Sequence, residues 1–74
     1  MKLTLKLNSL DDVKRFIEIT SRYGEALSLA NGRYVVDAKS ILGVFSMDLS
    51  QPVELICEKD DEALKQELTP FIAA

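Results

Sequence analysis

The chain has 74 residues, with 9 basic and 12 acidic side chains for a formal net charge of −3, one cysteine and no histidine. A histidine-free chain excludes a Ser-His-Asp triad, a Cys-His pair, an HExxH zinc site and a phosphohistidine relay. Its 47% hydrophobic and 28% charged content fits one globular domain over residues 1–74, too small for a deep catalytic pocket, so function is expected on the surface.

The first stretch, Lys2 to Leu7, is apolar at 3, 5 and 7 and polar between, the period of a strand with one buried face. It lacks the charged start and long apolar run of a secretory or membrane-spanning segment, so a cytoplasmic protein without a membrane anchor is expected. Ser9 and Asp12 then have the spacing of a capping box, with Asp11 and Asp12 near the positive end of a helix dipole. Leu10, Val13, Phe16, Ile17 and Thr20 recur every three or four residues, which predicts an amphipathic helix with that stripe inward, ending before Gly24.

Residues 25–30 and 33–37 flank Asn31-Gly32, the dipeptide favoured in type I′ turns, and predict a hairpin. From Lys39 the chain turns short and apolar, and Ser40 stands where a hydroxyl caps a helix of about two turns. Pro52 precedes a fourth strand over residues 53–58. Asp60 opens a last helix, with Asp61 and Glu62 in its first turn, Leu64 and Leu68 on one face and Pro70 limiting its length. The order is βαββαβα, and strands with one apolar face need helices on that face. An α+β two-layer open-faced sandwich is therefore expected, a four-stranded antiparallel sheet with three helices on one side.

Charge divides unevenly: residues 1–37 carry six basic and five acidic groups, residues 38–74 three and seven. That balance, with no cluster of basic and aromatic residues, speaks against a nucleic-acid partner. Cys57 has no disulfide partner and reads as a small buried apolar residue, and the scattered glycines form no phosphate loop. No cofactor and no metal site are expected.

Asn31-Gly32-Arg33, followed by Asp37-Ala38-Lys39-Ser40-Ile41-Leu42-Gly43-Val44-Phe45-Ser46-Met47, resembles the HPr family, the phosphocarriers of the bacterial sugar phosphotransferase system. The second stretch is similar to that family's Lys-Ser-Ile-Met-Gly regulatory segment, and residues 52–64 to its last strand and helix entry. The resemblance covers residues 23–72 well and implies the same fold. It departs at the family's Gly-x-His-x-Arg-Pro loop. Here only Asn8, Ser9, Leu10, Asp11 and Asp12 lie between Leu7 and Val13. An ungapped count puts Ser9 at the histidine and Asp11 at the arginine; alternatively the loop is shortened and has no counterpart. Two carboxylates at this helix start would repel a phosphoryl group.

The resemblance implies a non-catalytic, protein-binding and regulatory HPr-like module, no enzyme, similar to the histidine-lacking catabolite repression members. Ser40 is the implied phosphorylation site, and Lys39, Ile41, Leu42 and Phe45 the implied docking patch for phosphotransferase-system enzymes, HPr kinase or a transcriptional regulator. Plainer roles stand beside these. Ser40 serves as an N-cap whether or not it is modified, and some of the apolar side chains must face the core, Val44 and Met47 foremost. Two other readings stay open, a phosphocarrier using Asp11, Asp12 or Ser9, and a retained fold with an unrelated binding role. The chain is expected as a monomer or weak homodimer, the latter by exchange of the first strand.

Overall fold

The computed structural model describes residues 1–73. Its elements are β1 (Lys2–Leu5), α1 (Leu10–Thr20), β2 (Leu27–Asn31), β3 (Tyr34–Asp37), α2 (Ile41–Phe45), β4 (Val53–Cys57) and α3 (Glu62–Glu67), followed by a 3-10 turn at Thr69–Phe71. The strands form one antiparallel sheet in the order β1-β4-β2-β3. The register brings Leu3 opposite Leu55 and Leu55 opposite Leu29, so the buried side chains of three strands form rows on one face.

Those rows meet Val13, Phe16 and Thr20 of α1, Val44 of α2 and Leu64 of α3, all at most 1% exposed. The other face carries the alternating positions Lys2, Thr4, Ser28, Ala30, Glu54 and Ile56, none of them buried. This is the α+β open-faced sandwich that period-2 strands and period-3.6 helices require.

Several sequence expectations shift. β1 ends at Leu5, yet Leu7 is still buried, because the chain continues extended while the Lys6 amide donates to Phe71 O at 2.8 Å. Leu10 belongs to solvent, at 54% exposure. At about 100° per residue the buried arc of α1 is centred near Thr20, and Leu10 falls at its margin, about 80° away.

The hairpin turn lies one residue later than the Asn-Gly pair suggests. Asn31 pairs with Tyr34, Gly32 and Arg33 form the two-residue loop, and Gly32 alone has a positive φ, 62°. That pattern is the one of a type II′ turn, whose glycine stands first, not of type I′. α2 has five residues instead of two full turns. α3 starts later than expected, with Asp61 as its N-cap accepting from the Leu64 amide. Cys57 is buried, which raises its thiol pKa chiefly through desolvation.

Candidate functional site

α1 and α2 pack against each other, with Leu10 at the start of α1 and Phe45 at the end of α2 lining one cleft. At α1, Ser9 Oγ accepts from the Asp12 amide at 3.1 Å. Asp12 Oδ2 reaches past Ser9 and accepts from the Asn8 amide at 2.9 Å. The reciprocal box expected from the Ser-x-x-Asp spacing therefore forms with its return bond displaced by one residue, from the N-cap amide to that of Asn8. Ser9 and Asp12 are engaged in holding the helix start, with exposed Asp11 beside them on the first turn.

At α2, Ser40 is extended (φ −95°, ψ 111°) and its Oγ accepts from the Gly43 amide at 3.1 Å, a side-chain N-cap. At Gly43 α2 lies close against β3: a Cβ there would stand 3.2 Å from Val36 Cβ. Glycine allows that approach, which sets the helix directly on the sheet edge. Behind the cap, Thr20 Oγ1 donates to Ala38 O at 3.0 Å, tying the end of α1 to the segment that enters α2.

The docking candidates separate. Lys39 is a structural tie: its ammonium donates to Glu25 O at 2.7 Å and to Tyr23 O, and its amide donates to Asp37 Oδ1 at 2.9 Å. Its head group is thus committed to the α1–β2 loop, a role set by contacts distant in sequence. Ile41, Leu42 and Phe45 are 40%, 81% and 43% exposed, while Val44 and Met47 are buried.

Leu10 and Phe45 line the same cleft of about 360 Å³, with Lys6, Val13, Leu49 and Ser50 among its other walls. Lys6 donates to Leu49 O at 2.9 Å across it, and Asp48 accepts from the hydroxyl and amide of Ser50, which hold its carboxyl below the ordinary range. Leu10 and Leu49 enlarge the apolar surface beyond the residues named from sequence. The wheel position of Leu10 was the available signal; for Leu49 the sequence gives none. Among the described residues no group of three or more His, Cys, Asp and Glu could hold a metal ion.

The architecture defines a class: an HPr-like α+β sandwich, in which the β1–α1 junction and the end of α2 line a common cleft. In particular, the fold is similar to that of HPr-C-His from Thermoanaerobacter tengcongensis, with a TM-score of 0.78 and 23% identity, over 95% of this chain and 88% of that one. At that identity the likeness establishes the fold. No family model and no curated protein matches the chain.

Proposed function

We propose that the chain is a regulatory, protein-binding module on an HPr scaffold, a single non-enzymatic domain that docks partners through the apolar surface around α2 and the start of α1. The observation that carries this reading is the exposure of four large apolar side chains, Leu10, Ile41, Leu42 and Phe45, on two adjoining short segments of a small domain. A cytoplasmic placement is part of the same proposal. The chain contains no histidine to accept a phosphoryl group, and the first turn of α1 carries Asp11 and Asp12.

Ser40 is the regulatory phosphorylation site in this proposal. Its oxygen is half-buried and already accepts from Gly43, so a phosphate there keeps a cap acceptor while adding about two negative charges next to Ile41 and Leu42. The effect is electrostatic: partners with an acidic docking face are weakened and those with a basic one strengthened. Lys39 takes no part in holding the phosphate.

Two experiments test the proposal. Calorimetric titration with the phosphotransferase enzymes, HPr kinase and an HPr-binding transcriptional regulator should show binding to at least one, and binding to none would overturn it. Incubation with HPr kinase and ATP should add one phosphate by intact mass to the natural protein and none to Ser40→Ala. An equal gain in both removes Ser40 from the account.

A further inference from the structure

β1 and β3 are the outer strands of the sheet, and they differ. The outer edge of β1 is occupied by the chain's own end: the Lys6 amide donates to Phe71 O at 2.8 Å, the Ala73 amide to Thr4 O at 2.9 Å, and Ile72 bridges Leu5. The β3 edge has no such strand along it among the described residues.

The ladder fixes which groups of β3 face outward. The Ala38 amide donates to Leu27 O at 3.0 Å, and bonded pairs alternate along an antiparallel ladder, so Val36 and Tyr34 turn their peptide groups to β2. Val35 and Asp37 therefore turn theirs away from the sheet. The Asp37 carbonyl takes one bond from the Ser40 amide at 3.0 Å and keeps a second lone pair. On this same strand Val35 is 58% exposed on the open face, and Tyr34 is 50% exposed with its hydroxyl 2.9 Å from Ser46 Oγ.

We propose that β3 pairs antiparallel with β3 of a second copy of this chain, about a two-fold axis at Val35, joining two four-stranded sheets into one of eight. The strand is complementary to itself in that register. Val35 meets Val35 of the second copy as a bonded pair, and the outward groups match because both belong to the same parity. Tyr34 lies opposite Val36 of the second copy, an aromatic and β-branched pair of the kind that stabilises sheets, and the pair occurs twice.

Arg33, the turn residue just before the strand, comes beside Asp37 of the second copy, again twice, where Asp37 keeps Oδ2 free of the bond its Oδ1 accepts from the Lys39 amide, so each end of the pairing places opposite charges together. A slip of two residues, centred on Tyr34 or Val36, loses both Arg33–Asp37 pairs, and a slip of four, centred on Asp37 or Arg33, sets like charges opposite each other. Charge reciprocity therefore selects a second copy in one register over an unrelated extended segment. The docking surface around Leu10 and α2 is not used.

Sedimentation equilibrium tests this over protein concentrations up to on the order of 1 mM, the range for a small interface. The natural chain should show a monomer–dimer equilibrium. Val35→Pro removes an amide that β2 does not use and is tolerated on an edge strand, so it should fold and lose the dimer. Arg33→Glu should weaken dimerisation about tenfold, and Arg33→Glu with Asp37→Lys should restore it to about the natural strength, since the two pairs are then reversed. The charge variants decide the matter if Val35→Pro fails to fold. A protein monomeric throughout, or a dimer that neither Val35→Pro nor Arg33→Glu disturbs, overturns the proposal and, in the second case, points to exchange of β1 or to another face.

Discussion

Replacing Leu42 and Val44 by alanine, one at a time, should separate docking from folding within a single five-residue helix. Leu42 is 81% exposed, and leucine to alanine removes three carbons worth about 0.8 kcal/mol each when fully buried, about 2.4 kcal/mol in all. Only about a fifth of that is realised within the fold, about 0.5 kcal/mol, a fall of roughly 2–4 °C in melting temperature for a domain of this size. The remainder, about 1.9 kcal/mol, is available to a partner that covers the side chain, so affinity should fall about 20-fold.

Val44 is 0% exposed, and losing two methyl groups there costs about 1.6 kcal/mol of transfer plus a term for the cavity. A total of about 2 kcal/mol or more lowers the melting temperature by roughly 8–16 °C. Thermal unfolding by circular dichroism, with calorimetric titration against the bound partner, reads both quantities. Leu42→Ala melting as far below the natural protein as Val44→Ala, or binding the partner undiminished, would refute the reasoning.

Three further expectations follow from the geometry. Ser40→Ala should cost about 1 kcal/mol by losing the cap on Gly43, while Ser40→Asp keeps an acceptor and stays near natural stability; equal losses in a thermal melt would contradict the cap. Lys39→Met keeps the aliphatic stem but leaves the carbonyls of Tyr23 and Glu25 without the ammonium, at about 1–2 kcal/mol. Hydrogen exchange should then quicken at residues 23–26, and unchanged exchange would show that the tie is idle. Tyr23 donates to the Glu67 carboxylate, and this bond, with desolvation and the charge of Glu67, raises its pKa to about 12. The folded protein thus holds this proton more tightly than the unfolded chain, whose tyrosine titrates near 10, and the contribution is full below pH 10 and lost as pH rises to 12. Denaturant midpoints of the natural protein and Tyr23→Phe should converge across that window; a constant difference would contradict the assignment.

The order of elements could be read from the chain because each strand and helix carries its own period. Leu3, Leu5 and Leu7 alternate, Val13, Phe16 and Thr20 follow a helical stripe, and both patterns meet in one core. Ser9 and Ser40 mark helix starts for the same local reason, since a cap needs only the residues within one turn, whereas the adjacent acidic pair Asp60-Asp61 leaves the third start ambiguous by one residue, and the cap falls on Asp61.

What failed to show depends on contacts distant in sequence. Asn31-Gly32 marks a hairpin, but whether glycine stands first or second in the loop is settled by which residues of β2 and β3 pair, and here Asn31 joins the ladder. The covering of β1 by residues 71–73 carries no periodic signal, since a proline-containing 3-10 turn precedes it. At the candidate site Ile41, Leu42 and Phe45 are exposed, as one side of a short helix must be when Val44 faces the core, while Lys39, which the resemblance groups with them, is held elsewhere. Its partners, the carbonyls of Tyr23 and Glu25, lie 16 and 14 residues away and are backbone atoms that no sequence pattern encodes.

The central claim is that partners engage α2 and the start of α1. The most direct measurement is an amide-resolved nuclear magnetic resonance titration of the isotope-labelled chain with whichever phosphotransferase enzyme, kinase or regulator binds it. Shifts should concentrate at Leu10, Ile41, Leu42 and Phe45, with the sheet's open face, Lys2, Thr4, Glu54 and Ile56, unmoved. Shifts confined to that open face, with α2 silent, would contradict the claim.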